Sequence, residues 1–319
     1  MKKILFRTTI AATAFVVFGF FSTPGTAQDI NWDSVEGKQI TLLYPGQGSW
    51  EWALTKSTHS GAAKFRQGKK CNECHEGEEQ DIGNLIVSGE KLEPQPIERK
   101  RGFIQVNVKV AHDGENFHMR LEWTEQGING FPAMDPDYET KVTVMFDDGT
   151  VAEAKRAGCW GTCHDDATGM ASSSGSELKK YLSKSRVKNT RTGGGTNYKT
   201  DTEIAALAAA GTFLEFWQAK LNHSQAPVAV DGHILKSRDE NETPAITVTS
   251  QFQHGTWVVV FSRPLEVPGD YRKAIVPGKT YSFGIAIHEA YAAKRFHHVS
   301  FEHTFVLDRG DADLVAKSR

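Results

Sequence analysis

The chain has no marked excess of charge of either sign. Its 319 residues include 37 lysines and arginines against 39 aspartates and glutamates, which gives a formal net charge of −2. Domains that bind nucleic acid usually carry a clear basic excess. The charge balance therefore argues against a nucleic-acid partner.

Long apolar stretches are also absent after the first 21 residues. Residues 10–21 form an almost uninterrupted apolar run of 12 residues that follows a basic start, whereas a membrane-spanning helix needs roughly 20. Small residues ending at Ala27 come next, as at a signal-peptidase site. We expect residues 1–27 to be a signal peptide cleaved near Ala27, which predicts a periplasmic protein with no transmembrane segment in the mature chain.

Cysteine is scarce, with only four residues in the chain: Cys71, Cys74, Cys159 and Cys163. In an oxidising compartment the simplest use of four cysteines is two disulfides. The residues that flank them favour a different chemistry.

The first pair reads Cys71-x-x-Cys74-His75, the spacing of covalent c-type haem attachment. Two thiols at this spacing reach the two vinyl groups of one haem, and His75 would be an axial ligand of its iron. A zinc site would need a second ligand pair at similar spacing, and a thioredoxin-like redox motif would need a βαβ setting. The sequence shows neither.

The second pair, Cys159 and Cys163 followed by His164, has one more intervening residue. Histidine makes up only 12 of the 319 residues, so its recurrence directly after the second cysteine favours a second haem with His164 as iron ligand. A local disulfide is the alternative. Together the motifs predict two covalently attached haem c groups.

The sixth ligand of each iron is less sharply indicated. His59 lies upstream of the first motif among polar and small residues, and we expect it to be the distal ligand of the first haem, although such a histidine can simply be exposed. For the second haem we prefer His297 or His298, which begin a predicted strand. Alternation sends the two to opposite faces, so only one of them can point at a given haem. The other candidates are His112, Met119 and Met170.

The pattern of turn formers and alternating segments predicts the fold. Residues 28–100 read as a small N-terminal haem module with one strand and a short helix near Trp50, and residues 93–101 read as a connector. From residue 101 to 319, short alternating segments separated by turn residues, including an Asp113-Gly114 hairpin signal, predict a mainly β, antiparallel β-sandwich with one or two helices. Residues 202–222 read as one amphipathic helix. A polar insertion at about residues 172–199 reads as a loop whose basic residues form either a solvated face or a docking patch.

Residues 101–308 resemble the haem-binding domain of the γ subunit of ethylbenzene dehydrogenase, which belongs to the dimethyl sulfoxide reductase family of molybdenum enzymes. The resemblance rests on Ala111-His112-Asp113-Gly114 leading to Leu121-Glu122-Trp123, on residues 213–220, on residues 257–265 and on residues 284–307. It implies a β-sandwich that holds a haem near one edge and relays electrons between an enzyme and external carriers.

The resemblance also bears on the ligands. Those γ subunits hold a b-type haem through a methionine and a lysine. Residues 158–164 stand where the methionine falls, so the resemblance implies that His164 takes over that role. His297 and His298 stand about where the lysine falls, which supports a second histidine ligand. The N-terminal haem module is an addition to that domain.

The sequence therefore favours an exported dihaem cytochrome that transfers electrons, rather than a catalyst. Its expected partners are redox proteins: a membrane quinol-linked cytochrome or a molybdenum oxidoreductase on one side, and another carrier on the other. The alternatives are a haem enzyme or gas sensor with one open iron position, and a disulfide-bonded sandwich without haem.

Overall fold

The computed structural model describes residues 30–93, 95–127, 131–162, 181–188 and 198–319. Within them the α-helices are α1 (Trp50–Ala53), α2 (Ala62–Arg66), α3 (Asn72–His75), α4 (Glu79–Val87), α5 (Ala152–Gly161) and α6 (Asp201–Ala209). The strands are β1 (Gly37–Leu43), β2 (Phe103–His112), β3 (Asn116–Thr124), β4 (Thr140–Asp147), β5 (Leu214–Leu221), β6 (Val228–Ile234), β7 (Arg238–Glu240), β8 (Thr247–Gln253), β9 (Thr256–Pro264), β10 (Tyr281–His288), β11 (His298–Val299), β12 (His303–Leu307) and β13 (Leu314–Ser318). None of the helices in these residues has both the length and the hydropathy to span a bilayer.

The strands form one hydrogen-bonded network in the order β7-β6-β5-β4-β10-β11-β1-β2-β3-β9-β8, and β12 and β13 bridge β10 to β2. Most pairs are antiparallel, and β12–β13 and β13–β2 are parallel. The expected β2–β3 hairpin turns at Gly114, whose φ of 95° suits a glycine. The prediction of a mainly β fold is confirmed, with several short helices in place of the one or two expected.

Two groups of strands share one apolar core. Val106 and Leu121 from the β1-β2-β3-β9 group pack in the same buried cluster as Val144 and Trp217 from the β4-β5-β10 group. Burial of apolar side chains between two layers is the main force that stabilises such a fold. The result is a sandwich-like body.

A second core covers the other face of β4, β5 and β10. Met145 and Phe216 on these strands pack in one cluster with Trp50, Phe65 and Trp160 from the helices. The cysteines described by the structure lie in this helical layer. β1, which comes from the expected N-terminal module, pairs with β2 and β11 in the sheet, while the module boundary at residue 100 stays a prediction.

The prediction of a helix over residues 202–222 is wrong after residue 209, where α6 ends. Thr200 and Glu203 form a capping box that begins α6, and Gly211, with a φ of 73°, lies just past its end. The next residues form β5, paired with both β4 and β6. A central strand that is buried on both faces has apolar residues at successive positions instead of alternating apolar and polar ones. The apolar residues of β5 therefore appeared to continue the helical pattern of the residues before it.

Glu302 connects the sheet to the helical layer at α3. The backbone N–H of Asn72 donates to Glu302 Oε1 at 3.0 Å, and the Asn72 side-chain amide donates to the Glu302 carbonyl oxygen. Oε2 of Glu302 and Oδ1 of Asn72 are buried and have no hydrogen-bond partner among the residues that the structure describes. Burial raises the pKa of Glu302 to about 8, so near neutral pH this side chain is largely protonated.

The interior also holds an ion pair between Glu215 on β5 and Arg263 on β9. Nε and Nη2 of Arg263 donate to the two carboxylate oxygens at 2.6 and 2.9 Å, and both side chains are fully buried. The backbone N–H of Lys273 and the indole N–H of Trp217 also donate to Glu215. Each charge is therefore fully compensated by partners.

Replacing Glu215 with alanine should lower the free energy of unfolding by about 3–5 kcal/mol, because it leaves Arg263 buried without its counter-charge. The control is Glu240→Ala, which removes the partner of the partly exposed Arg238 and should cost at most about 1 kcal/mol. Urea denaturation of both variants measures the difference. Equal losses of unfolding free energy in the two variants would show that the buried ion pair contributes no more to stability than the partly exposed one.

Glu302→Gln should change how stability depends on pH. A carboxyl whose pKa is raised from 4.5 to about 8 on folding gives stability that is complete below pH 4.5 and is lost as pH rises through 8, at up to about 1.4 kcal/mol per pH unit. The glutamine variant stays neutral and should lose this decline, whereas Glu266→Gln, at an exposed site, should keep it. The measurement is the free energy of unfolding of the parent protein and both variants at pH 5 and at pH 8. An unchanged decline in Glu302→Gln contradicts the account.

Candidate functional site

A cleft of about 560 Å³ opens between the helical layer and the sheet. Its wall comes mostly from residues 52–92, together with Leu43 of β1, Trp160 of α5 and Phe301. This volume is in the range of cofactor pockets, which are concave and mostly apolar with a few converging polar groups. Here the polar groups that line the cleft include two thiols and two imidazoles.

Cys71, Cys74 and His75 all line the cleft. The short helix α3 places them on one turn, with Cys71 at its start. The Cys71 N–H donates to the Arg156 carbonyl at 2.9 Å, which fixes the motif against α5. Cys71 is buried, Cys74 is exposed, and neither is in a disulfide. Burial raises the pKa of the Cys71 thiol well above its ordinary value, so this sulfur is a thiol.

His59 faces His75 in the same cleft, with ring centres 6.2 Å apart. Nδ1 of His75 donates to Glu78 Oε2 at 2.8 Å, and Nδ1 of His59 donates to the Ala53 carbonyl at 2.9 Å. Because a carbonyl or carboxylate oxygen can only accept, Nδ1 carries the proton in both rings. Each neutral ring therefore keeps its lone pair on Nε2, the nitrogen available to a metal.

Aromatic side chains fix the orientation of both rings. Trp52 stacks on His59 with ring centres 5.3 Å apart, and Phe301 lies 6.2 Å from His75. Trp160 meets the edge of Trp52 at 6.3 Å. The rings thus sit in an apolar wall that limits both their rotation and the access of water.

The spacing of the two imidazoles fits a single metal centre between them. With bonds of ~2.0–2.1 Å, as for zinc-bound imidazole, and ~1.1 Å from nitrogen to ring centre, one ion between two rings places their centres ~6.2–6.4 Å apart. Two protein ligands are too few for a structural zinc ion, which takes four. Two is the number that haem iron takes when the porphyrin supplies the rest. The thiols beside His75 complete a donor set suited to haem c.

The second motif is described only in part. Cys159 and Trp160 lie at the end of α5, whereas Cys163 and His164 fall outside the described residues. Gly158 has a φ of 60°, and a Cβ there would lie 2.3 Å from the Phe301 backbone, so only glycine allows this close approach. Burial raises the pKa of the Cys159 thiol to about 12. Trp160 brings this motif to the wall of the first cleft.

The structure gives His297 and His298 partners of their own. His298 is fully buried, and its Nε2 donates to the Arg101 carbonyl at 2.8 Å; burial holds its pKa well below the ordinary value. His297 donates from Nδ1 to the Lys294 carbonyl at 2.8 Å and stacks on His288. Neither lines the cleft that holds His75. Their role at a second haem stays a prediction.

Sequence reasoning missed several residues of this site. Glu78 follows His75 by only three positions, across the turn between α3 and α4, and this nearness in sequence could have identified it as a partner. Trp52, Trp160 and Phe301 carry no sequence signal for this cleft, because they come from three separate segments that only the fold brings together.

The family model described as ethylbenzene dehydrogenase matches residues 30–249 and 239–300. Cytochrome c-552 of Stutzerimonas stutzeri is 32% identical over 318 residues, which are 99% of each chain. Cytochrome c-551 of Rhodocyclus tenuis is 28% identical over 274 residues, 85% of this chain and 91% of its own.

Among solved structures, a family 9 carbohydrate-binding module from Caldicellulosiruptor kristjanssonii in complex with cellotriose aligns with a TM-score of 0.29 and 10% identity. The alignment covers 62% of this chain and 65% of the module. A score this low carries no argument about function.

The match begins at residue 30 and so includes the segment with the first cysteine pair, and the cytochrome c-552 similarity runs almost from end to end. The chain belongs to the ethylbenzene dehydrogenase family and is a c-type cytochrome that carries this domain.

Proposed function

We propose that this cytochrome is an exported dihaem electron carrier. It would bind one haem through Cys71 and Cys74 with His75 and His59 as axial ligands, and a second through Cys159 and Cys163 with His164. The observation that carries the proposal is the 6.2 Å separation of the His59 and His75 rings, with both Nδ1 atoms protonated.

Haem, when bound, supplies an iron that changes oxidation state by one electron. The protein's part is to hold that iron in one geometry. Glu78 and the Ala53 carbonyl fix the tautomer and orientation of the two imidazoles, as hydrogen-bond partners of ligating histidines do in metal sites. Trp52 and Phe301 pack beside the rings and keep them from turning. A site held this way on both sides suits electron transfer, whereas catalysis or gas binding needs an open iron position.

The two centres would lie close to each other. Trp160 belongs to the second motif and lines the cleft of the first, and the Cys71 N–H is bonded to α5, the helix that carries Cys159. We infer that electrons pass between the two centres within the chain. His297 or His298 stays the expected distal ligand of the second haem.

The proposed partners follow from the family and the first residues of the chain. The signal-like residues 1–27 support a periplasmic location. The name of the family supports a redox partner of the molybdenum oxidoreductase type, or a membrane quinol-linked cytochrome, with another carrier as the second partner. The relatives named cytochrome c-552 and c-551 support an electron carrier.

The intact mass of the mature protein, made in a host competent for cytochrome maturation, should exceed that of the bare polypeptide by two haems. Cys71→Ser with Cys74→Ser should remove one haem, and Cys159→Ser with Cys163→Ser should remove the other. A mass equal to the polypeptide would end the proposal. A parent protein heavier by only one haem, which is still retained when the second cysteine pair is replaced, would reduce the proposal to a one-centre carrier.

His59→Ala should open the first iron, which then becomes high-spin and binds carbon monoxide when reduced. His59→Met should instead keep a low-spin iron and raise the midpoint potential of that centre, because methionine ligation favours the reduced state. The matched control is His254→Asn, at an exposed histidine in a turn with a φ of 50°, a conformation that asparagine accepts.

Visible spectra with and without carbon monoxide, together with a redox titration, measure both variants. The control should match the parent protein in every reading. If the parent itself bound carbon monoxide at the first centre, or if His59→Ala left the spectrum unchanged, His59 would not be the ligand.

A further inference from the structure

The rim of the first cleft is basic although the chain as a whole is not. Four lysines line the cleft: Lys64, Lys69, Lys70 and Lys91. Among the described residues that line it there is no aspartate or glutamate. The net charge of the whole sequence is −2, so this positive rim is a local feature.

Most of this positive charge is not neutralised locally. Lys69 pairs with Glu73. Within the part of the chain that the structure describes, Lys64, Lys70 and Lys91 have no carboxylate at ion-pair distance, and Lys64 and Lys91 are exposed. Glu73, inside the motif, is the partner of Lys69, and Glu78 is bonded to His75.

An apolar side chain stands in the same rim. Leu85 of α4 lines the cleft and is 40% exposed, one of the few large apolar side chains that face solvent in the described residues. Protein–protein interfaces commonly have an apolar centre surrounded by polar and charged side chains. Leu85 among the lysines matches this arrangement. Charge of one sign around a cleft also raises the rate of encounter with a partner of the opposite sign.

One arginine in the other basic stretch of the sequence is not at the surface. In the insertion at residues 172–199, which the structure describes at residues 181–188 and 198–199, Arg186 is buried and pairs with Glu51. Because it is buried, this arginine contributes to the interior of the helical layer and is not accessible to a partner protein.

We propose that the surface formed by Lys64, Lys70, Lys91 and Leu85 is the docking site for a redox protein with an acidic surface, and that electrons cross there to or from the first centre. This inference rests on the proposed function, since it needs a redox centre in the cleft. It adds the face of the molecule that is used and the charge of the partner that fits it.

The test uses the full-length haem-loaded protein and two small redox reagents of opposite charge. Hexacyanoferrate(III) is an anion that takes one electron from the reduced protein and becomes hexacyanoferrate(II); hexaammineruthenium(III) is a cation that takes one electron in the same way. Stopped-flow rate constants are measured from low to high ionic strength. Salt screens charges over about 10 Å at 0.1 M, so the slope reports the charge close to the site of electron transfer.

With hexacyanoferrate the rate should fall as ionic strength rises, although the negative net charge of the protein by itself requires the opposite. With hexaammineruthenium it should rise. The triple variant Lys64→Gln, Lys70→Gln, Lys91→Gln should lower the hexacyanoferrate rate at low salt by about tenfold and abolish its fall with salt. Midpoint potentials and visible spectra should stay unchanged, because these lysines do not touch the imidazoles.

The control variant Lys184→Gln, Lys188→Gln, Lys317→Gln removes the same charge from exposed lysines that do not line the cleft. It should keep the parent's salt dependence. A hexacyanoferrate rate that rises with ionic strength, a triple variant that behaves as the parent, or an equal loss in the control would overturn the docking site. A protein without haem would be colourless in every variant, which would refute the proposed function and not this surface alone.

Discussion

The site depends on one constraint: two imidazoles lie with ring centres 6.2 Å apart, and in the neutral form of each ring the lone pair is on Nε2. The Ala53 carbonyl and the Glu78 carboxylate impose this by accepting from Nδ1. Without them either ring could carry its proton on Nε2 and present a donor to the cleft. Because the 6.2 Å spacing already suits one metal ion, the protein would need little rearrangement if an iron held between the rings changed charge.

The sheet explains how so short a helix as α3 can be placed reliably. Four residues cannot form a stable helix alone, so tertiary bonds hold this one. The Arg156 carbonyl accepts from Cys71, and Glu302 accepts from Asn72. Both partners belong to segments packed on β10, a strand whose residues are almost all buried. These hydrogen bonds therefore anchor α3 and its site residues to the sandwich-like core.

The parts of this arrangement that are local in sequence could be predicted. The Cys71, Cys74 and His75 spacing follows from the reach of two thiols to one porphyrin, and the Asp113-Gly114 turn follows from backbone conformation. His59 is expected to act together with His75 because it lies close to the first motif in sequence. The structure brings the two rings into one cleft. The strands β7 and β13 carry no such local signal. β7 is only three residues long, and β13 pairs in parallel with strands far away in sequence. The walls formed by Trp160 and Phe301 depend on the same long-range packing.

The central claim is that two histidine nitrogens, from His59 and His75, complete the iron coordination of the first centre. Near-infrared magnetic circular dichroism of the oxidised protein that retains only the Cys71–Cys74 haem reports the axial ligand pair directly. The account predicts the charge-transfer band of low-spin iron with two imidazole ligands. A band typical of histidine with methionine, or the spectrum of high-spin iron, would contradict it.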